Sequence, residues 1–443
     1  EDLAAEVSEY TAEWAAKETE LPADQIHETA RLMGKNAPAV CIHPGRHVTW
    51  DGNDVQRERA IAILQAILGT WGRKGGVYMA TKARVAPIPG PKPFPEPQRE
   101  ALNRGGYPHA GMEGVTNVVR ESTITGKPYP IKGWIVTGTN LMAAMPNQPE
   151  TVAAINNLDL LVAVDVMPTA TAMMADVVLP ECTYLERHDA ITALKGRDLR
   201  FATRQPAVEP MYDSKPGWWI ARELGLHLGL DEYYPWETYE EQLEEACLVW
   251  DLDYEQLREE GVVVIPNTAA PYIGPGNEAS FHTYSKKILL YNEELLFSDF
   301  DPVPRYKAPE QPGEDQFRLL YGRSPVHTFS RTINNPVLSE LDPENEVWVN
   351  ADKAKRLGLE NGDYVRLVNQ DGVKSNRIRV KATERIRRDC VFMVHGFGQT
   401  AKRLGQAYMK GADDQKLITR YAVDPIAGTT GMRVNFVKLV KEA

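Results

Sequence analysis

Two short polar turns contain the residues best suited to bind a nucleotide-like ligand. Gly138-Thr139-Asn140 follows an apolar run at 134–137, and it joins a glycine that permits a sharp turn to two hydrogen-bonding side chains. Asp165 ends the apolar run 158–164, and Thr169 follows it. An acid at the carboxyl edge of a parallel sheet suits a ribose or a guanine edge, and a nearby threonine can donate to phosphate or base. The two turns predict a ligand site at one sheet edge.

Spacing alone leaves the role of these turns open. Gly138 and Asp165 are equally consistent with routine loop residues of a sheet that binds nothing. No GxGxxG sequence follows a strand, which argues against an ordinary NAD site. A simple NAD dehydrogenase therefore ranks below the other hypotheses.

A second candidate lies in the loop that contains Arg46 and His47. The segment APAVCIH before it is predicted to be a buried strand, and a helix capped by Asn53 or Asp54 follows it. The apolar residues of that helix that keep helical spacing, and so predict its core face, are Ile61, Leu64, Ile67 and Leu68. Arginine offers a rigid fork of donors and histidine a titratable group, so the pair could hold an anionic substrate. The alternative is that Arg46 forms an ion pair with a nearby acid such as Asp51.

A third candidate lies in the last quarter of the chain. The turn at 322–332 is dense in donors and includes Arg323, Ser324 and His327. Such a turn can also be a solvated surface, but this one follows a core strand. Further on, His395-Gly396-Phe397-Gly398 ends another strand, and glycines there allow a flat ligand to approach the backbone.

Several longer strings resemble one family. GTNLMAAMPN followed by VDVMPTATAMMADVVLPECTYLERHD is similar to the bis-molybdopterin-guanine-dinucleotide oxidoreductases, the dimethyl sulfoxide reductase family. HPGRHVTW and WGRKGG resemble the polysulfide and thiosulfate reductase branch, with respiratory arsenate reductases as near relatives.

The resemblance gives each candidate residue a role. One guanine dinucleotide would lie on the first two turns. A pterin would contact the 322–332 turn and also Asn435 in the final loop, DPIAGTTGMRVN. Arg46 would face the substrate, and His47 would assist it.

The resemblance also implies an activity and its partners. It implies two-electron reduction of polysulfide or thiosulfate at molybdenum, or tungsten, held by two pterin dinucleotides. It implies a [4Fe–4S] cluster in an N-terminal part outside this chain, an iron–sulfur electron-transfer subunit and a quinol-oxidising membrane subunit. The catalytic subunit would be peripheral, on the periplasmic or other extracytoplasmic face. The alternatives are an arsenate reductase, a formate dehydrogenase, or a metal-free nucleotide-binding scaffold.

Composition limits the remaining classes of function. The chain has 443 residues and a net charge of −11, which disfavours nucleic acid as a partner. The four cysteines, Cys41, Cys182, Cys247 and Cys390, are widely spaced and form no CxxC, so no zinc or iron–sulfur site is predicted from them. Each is expected to be a small buried hydrophobe. No apolar run is long enough to cross a bilayer.

The elements that must position these residues predict an α/β protein. Apolar runs separated by a helix-length spacer at 148–156 indicate a βαβ unit and a Rossmann-like parallel sheet. Short strands after 313 indicate a β-barrel, which the resemblance describes as double-psi. We therefore predict a helical end of a preceding domain at 1–36, the sheet domain at 37–189, a helical connector at 190–312, and the barrel domain at 313–443.

Overall fold

The structure is a computed structural model, and it describes residues 2–45, 49–78, 87–91, 102, 107–110, 115–194, 196–268 and 270–442. In these ranges the helices before the barrel are α1 Asp2–Glu6, α2 Ala12–Thr19, α3 Ala23–Asn36, α4 Asp54–Ile67, α5 Thr116–Thr125, α6 Leu141–Ala144, α7 Gln148–Asn156, α8 Gly217–His227, α9 Tyr239–Val249, α10 Tyr254–Glu260 and α11 Glu293–Phe297. The barrel region adds α12 Pro336–Leu341 and α13 Ala351–Arg356.

A three-stranded parallel sheet carries the first two polar turns. Its order is β1 (Gly133–Thr137), β2 (Leu160–Asp165) and β3 (Val177–Pro180), with β2 in the middle. Helices α6 and α7 form the crossover between β1 and β2, and α7 is the helix predicted at 148–156. Because β2 is flanked on both sides, its residues from Leu161 to Val164 are buried.

A small antiparallel sheet follows. It joins β4 (Asp189–Leu194), β5 (Leu199–Arg204) and β6 (Val262–Ile265), with β5 in the middle. Helices α9 and α10 pack on this sheet around Phe201, Leu243 and other buried apolar residues. This cluster is the core of the connector region.

The last part of the chain is a closed six-stranded barrel. Around the barrel the strand order is β10, β8, β11, β7, β14, β9, with bounds β7 Phe317–Gly322, β8 Glu346–Asn350, β9 Tyr364–Asn369, β10 Lys374–Thr383, β11 Cys390–Val394 and β14 Phe436–Lys441. Alternate residues of β7 and β9 point inward, and the interior is filled by buried Val, Leu, Ile and Met side chains. The two-residue strands β12 (Ala422–Val423) and β13 (Thr430–Gly431) pair beside the barrel.

Two sequence predictions near the start of the chain are wrong. Residues 37–43 form no strand but a turn and an irregular segment, and Cys41 is exposed, whereas the other three cysteines are buried. The segment is apolar in composition, but no described strand pairs with it. Its backbone instead meets a side chain, because the Gln65 amide donates to the Ile42 carbonyl at 3.2 Å. A strand without a ladder partner is not stable.

The buried face of α4 also differs from the prediction. Leu64 and Ile67, expected in the core, are 38% and 64% exposed, whereas Gln56 and Gln65 are buried. The amide of Gln56 donates to the Asp301 carbonyl at 2.8 Å. Hydrogen bonds from the buried Gln56 and Gln65 to distant backbone carbonyls therefore help to decide which side of this helix faces inward.

No helix in the described ranges is both long and apolar enough to span a membrane.

Candidate functional site

The carboxyl edge of the parallel sheet faces loops of the barrel. Met167, two residues after Asp165, packs against the buried cluster of Ile333 and Phe397 that lies beside the barrel. At the start of α7, the Asn147 backbone amide donates to the Ile418 carbonyl at 2.7 Å. Sheet edge and barrel loops are therefore in direct contact.

A cavity of about 290 Å³ lies at this junction. The sheet side contributes Asn140, Gln148 and Ala170, and the barrel side contributes Gln399, Asp413 and others. The remaining lining residues are Met142, Ala143, Asn376, Gly398, Thr400, Met409 and Lys416. Amide side chains dominate the polar wall, so the cavity suits a flat ligand with several donors and acceptors on its edges.

The predicted turn at 138–140 forms part of this wall. Gly138 has φ of 61°, and a Cβ built on it would meet nothing within 4 Å, so the space above the turn is open. Asn140 caps α6, donates to the Gln399 side chain at 3.3 Å and accepts from the Thr171 hydroxyl at 3.1 Å. The Thr139 hydroxyl bonds the Thr137 carbonyl at 3.3 Å, and the residue is exposed.

Asp165 lies at the end of β2 and is half-buried. Burial raises the pKa of its carboxyl, although backbone amides, Thr169 and the charge of Arg331 oppose the shift. Arg331 belongs to the barrel-side turn, so its field reaches the sheet edge. Thr169 also accepts from the Ala172 amide at 3.2 Å, which fixes the turn after β2.

The barrel-side residues predicted to bind differ in exposure. Arg323 is exposed, and its guanidinium lies 4.2 Å from the centre of the Phe329 ring. Ser324 and His327 are buried and are both bonded to Asp342, the hydroxyl to its carboxylate at 2.6 Å and the His327 Nε2 to its carbonyl at 2.8 Å. Ser324 and His327 thus hold the turn that presents Arg323.

Asn435 is fully buried inside the last loop. Its amide donates to the carbonyls of Arg420 and Met432 at 2.8 and 2.9 Å, and its oxygen accepts from Gln370 and the Arg420 amide. In this structure the side chain braces the loop and does not reach the cavity. Contact between Asn435 and a cofactor stays a prediction.

Two predicted residues, Arg46 and His47, lie outside the described residues. In the described ranges no group of three or more His, Cys, Asp or Glu side chains could hold a metal ion.

Sequence reasoning missed several cavity residues. No recognisable motif includes Gln148, Asp413 or Lys416. Gln148 lies at a helix start, Asp413 in an irregular segment and Lys416 in the three-residue 3-10 helix Gln415–Leu417. The amide of Gln148 donates to Asp413 at 2.8 Å across the junction. Burial, with the charge of Asp414 added, raises the pKa of Asp413 to about 7.

Comparisons with known proteins match both halves of this site. The family model "Molybdopterin oxidoreductase" matches residues 11–226, and the model "Molydopterin dinucleotide binding domain" matches residues 317–436. The thiosulfate reductase molybdopterin-containing subunit PhsA of Salmonella typhimurium is 33% identical, over 97% of this chain and 61% of that protein. The F420-dependent formate dehydrogenase subunit alpha of Methanocaldococcus jannaschii is 26% identical, over 98% and 63%.

Among solved structures, acetylene hydratase from Pelobacter acetylenicus superposes with a TM-score of 0.81 at 22% identity. The alignment covers 100% of this chain and 66% of that one, and it shows a shared fold. The chain spans about six-tenths of the length of the two curated relatives.

Proposed function

The chain belongs to the molybdopterin oxidoreductases, and from this premise we propose that it forms the cofactor-holding part of a molybdenum-dependent reductase of polysulfide or thiosulfate. The observation that carries the proposal is the 33% identity to a thiosulfate reductase subunit over 97% of this chain. The reaction would be a two-electron reduction that cleaves a sulfur–sulfur bond.

The cavity at the junction fits part of a molybdopterin dinucleotide. Asn140, Gln148 and Gln399 offer amides that match the donor and acceptor edges of a guanine or a pterin, and Lys416 offers a cation for phosphate. The open space at Gly138 lets a flat ring approach the backbone. The cofactor, when bound, supplies the two-electron chemistry of its metal, and the protein supplies orientation and charge.

The cavity alone is smaller than the two guanine dinucleotides that the proposal requires. Thr139, next to Asn140, and Arg323, which lies on the Phe329 ring, are both exposed, and we propose that they extend the cofactor site beyond the cavity wall. Asp165 and Thr169 would bind the guanosine end of one dinucleotide.

Arg46 is proposed to face the substrate. Its guanidinium would offset the negative charge of polysulfide or thiosulfate and polarise the sulfur–sulfur bond as it breaks. His47 would be a second donor in the same loop. Both assignments rest on the sequence of the loop HPGRHVTW.

Further features of the whole enzyme remain proposals. The structural proposals are that the sheet is Rossmann-like, that the barrel has a double-psi topology, and that domain boundaries lie at 36, 189 and 312. The proposed cofactor is a pair of molybdopterin guanine dinucleotides with molybdenum or tungsten. The proposals also include a [4Fe–4S] cluster, an iron–sulfur subunit, a quinol-oxidising membrane subunit and an extracytoplasmic location.

The test uses the complete protein purified under anaerobic conditions. Molybdenum, tungsten and pterin contents are measured first, and turnover of thiosulfate, polysulfide, arsenate and formate is then measured with viologen dyes. We expect metal and pterin together with sulfide production. Metal and pterin below detection in the intact protein would support a metal-free nucleotide-binding scaffold instead.

Arg46→Ala tests the substrate loop within the same assay. We expect sulfur-substrate turnover to fall by about 100-fold, the typical cost of losing one preorganised charge donor, with metal and pterin contents unchanged. Arg73→Ala, at an exposed arginine after α4, is the matched control and should retain turnover. Unchanged turnover in Arg46→Ala would remove Arg46 from the mechanism.

A formate dehydrogenase is the second candidate. The 26% identity to a formate dehydrogenase subunit over 98% of this chain favours it over the remaining alternatives. Formate-dependent dye reduction without sulfide production from thiosulfate or polysulfide would show that the protein is a formate dehydrogenase.

A further inference from the structure

A histidine–carboxylate pair lies where β11 ends at the barrel mouth. The Nδ1 of His395 lies 3.0 and 2.9 Å from the two carboxylate oxygens of Asp414, which is fully buried. A carboxylate partner assigns the proton to Nδ1, so this nitrogen donates to Asp414. The other ring nitrogen, Nε2, forms no hydrogen bond with any residue in the described ranges.

The His395 ring contacts other residues on several sides but remains partly accessible to solvent. Its side chain is 12% exposed. The Phe329 ring meets it edge-on at 5.7 Å, and the Tyr321 ring lies 6.2 Å away. Gly396 packs on the backbone of Phe329 so closely that a Cβ there would come within 2.6 Å of it. The imidazole therefore has one fixed orientation, with Nε2 as its open end.

These contacts place His395 between the predicted cofactor turn and the end of the predicted substrate loop. On one side, the guanidinium of Arg323 lies over the Phe329 ring. On the other side, Tyr321 stacks on Trp50 at 5.2 Å and 14°, and Trp50 is four residues after Arg46. The His395 ring therefore lies between one residue that contacts Arg323 and another that contacts Trp50, the last residue of the loop HPGRHVTW.

The surrounding charges favour the imidazolium form. Burial lowers the pKa of His395, but the carboxylates of Asp414 and Asp413 outweigh it and raise the pKa above its usual value. Among the neighbouring charges, Asp51 and Arg433 act on Tyr321, and the guanidinium of Arg323 lies against Phe329. A raised pKa extends to higher pH the range in which Nε2 carries a proton, as a general acid requires.

We propose that His395, oriented by Asp414, is the proton donor to the sulfur that leaves when the sulfur–sulfur bond of the substrate is cleaved. This role rests on the proposed function. For thiosulfate the step is S₂O₃²⁻ + 2e⁻ + H⁺ → HS⁻ + SO₃²⁻. The sulfur–sulfur bond breaks, both electrons reduce the outer sulfur, and the proton from Nε2 forms the new S–H bond. Reduced viologen supplies the electrons in the assay, and solvent returns the proton to His395.

The first readout does not depend on turnover. Diethyl pyrocarbonate modifies neutral imidazole, and tryptic cleavage gives a peptide, residues 389–402, in which His395 is the sole histidine. Mass spectrometry of this peptide gives the modification rate against pH. We expect a midpoint above the usual value of about 6.5 in the intact enzyme, and a lower midpoint in Asp414→Asn. Equal midpoints in the two proteins would refute the orienting role of Asp414.

The second readout is the pH profile of sulfide production. A general acid loses activity as pH rises through its pKa, so the wild type should show an alkaline limb at the His395 midpoint. His395→Gln should lower kcat by about 100-fold and remove this limb. Asp414→Asn should move the limb to lower pH. His188→Gln is the matched control, because His188 also pairs with a carboxylate, Glu240 at 2.8 Å, but it precedes β4 and its partner lies on α9, away from the barrel.

Three results separate the hypotheses. An alkaline limb that persists in His395→Gln refutes the proton-donor role. Loss of metal and pterin from that variant also refutes it, because His395 would then hold the cofactor rather than donate a proton. Failure of the wild type to produce sulfide from either substrate refutes the proposed function itself.

Discussion

Replacing Arg120 with methionine tests how the loop in front of the cavity is held. Arg120, on α5, is fully buried, and its guanidinium donates to the Pro146 carbonyl at 2.6 Å and to the Thr151 hydroxyl at 3.2 Å. It also pairs with Glu150 at 2.6 Å and lies 5.3 Å from the Tyr421 ring centre. One side chain thus joins α5, the loop before α7 and a barrel segment.

The expected loss in the free energy of unfolding follows from the hydrogen-bond acceptors that methionine leaves unpaired. Two buried charge-assisted hydrogen bonds are lost, at about 1.5 kcal/mol each, because Pro146 and Thr151 find no water in their place. Glu150 is 42% exposed and can be hydrated, so the ion pair adds little. Methionine retains most of the aliphatic volume. We therefore expect a loss of about 3 kcal/mol in the free energy of unfolding.

The assay combines urea unfolding with amide hydrogen exchange of residues 141–151. Exchange in this segment should rise in Arg120→Met, because Gln148 lies between the two acceptors and reaches Asp413 across the cavity. Arg204→Met is the control, since Arg204 is 55% exposed and its pair with Asp189 is worth about 0.2–1 kcal/mol. Equal losses in both variants, or unchanged exchange at 141–151, would refute this account of the loop.

Two further predictions concern the barrel loops. The pKa of Asp413 rises from its usual 3.8 to about 7 on folding. Between these two values the folded protein binds a proton that the unfolded chain has lost, so the free energy of unfolding is highest below pH 4 and decreases as the pH rises to 7. Asp413→Asn should therefore flatten the pH dependence of the unfolding midpoint between pH 4 and 7, and an unchanged slope would contradict the shift. Gly396→Ala should destabilise the protein by at least about 2 kcal/mol, because φ is +101° and the new Cβ would strike the Phe329 backbone. Gly405→Ala, where nothing lies within 4 Å, should change stability by less than about 1 kcal/mol, and equal unfolding midpoints in the two alanine variants would contradict the packing argument.

Local patterns were sufficient to predict several of the elements that position the candidate site. The crossover helix was predicted at 148–156 and is observed at Gln148–Asn156, because helix length and flanking apolar runs are local properties. The presence of short strands and of a barrel after 313 was also predictable from short-range periodicity. The wrong predictions for the strand at 37–43 and for the buried face of α4 have one cause. Each depends on a partner distant in the sequence, a neighbouring strand in one case and a backbone carbonyl in the other, and neighbouring residues do not reveal such partners.

The sequence by itself determined the kinds of residue in the candidate site and their order, from Gly138 and Asp165 at the sheet edge to Arg323 in the barrel. It did so because turn chemistry and strand ends are encoded within a few residues. Only the tertiary structure decided that Gln148 meets Asp413 across 265 residues, and that Asn435 supports its loop from within. Those contacts depend on how the barrel packs against the sheet, and burial sets the pKa of Asp413 and the orientation of His395 only after that packing is complete.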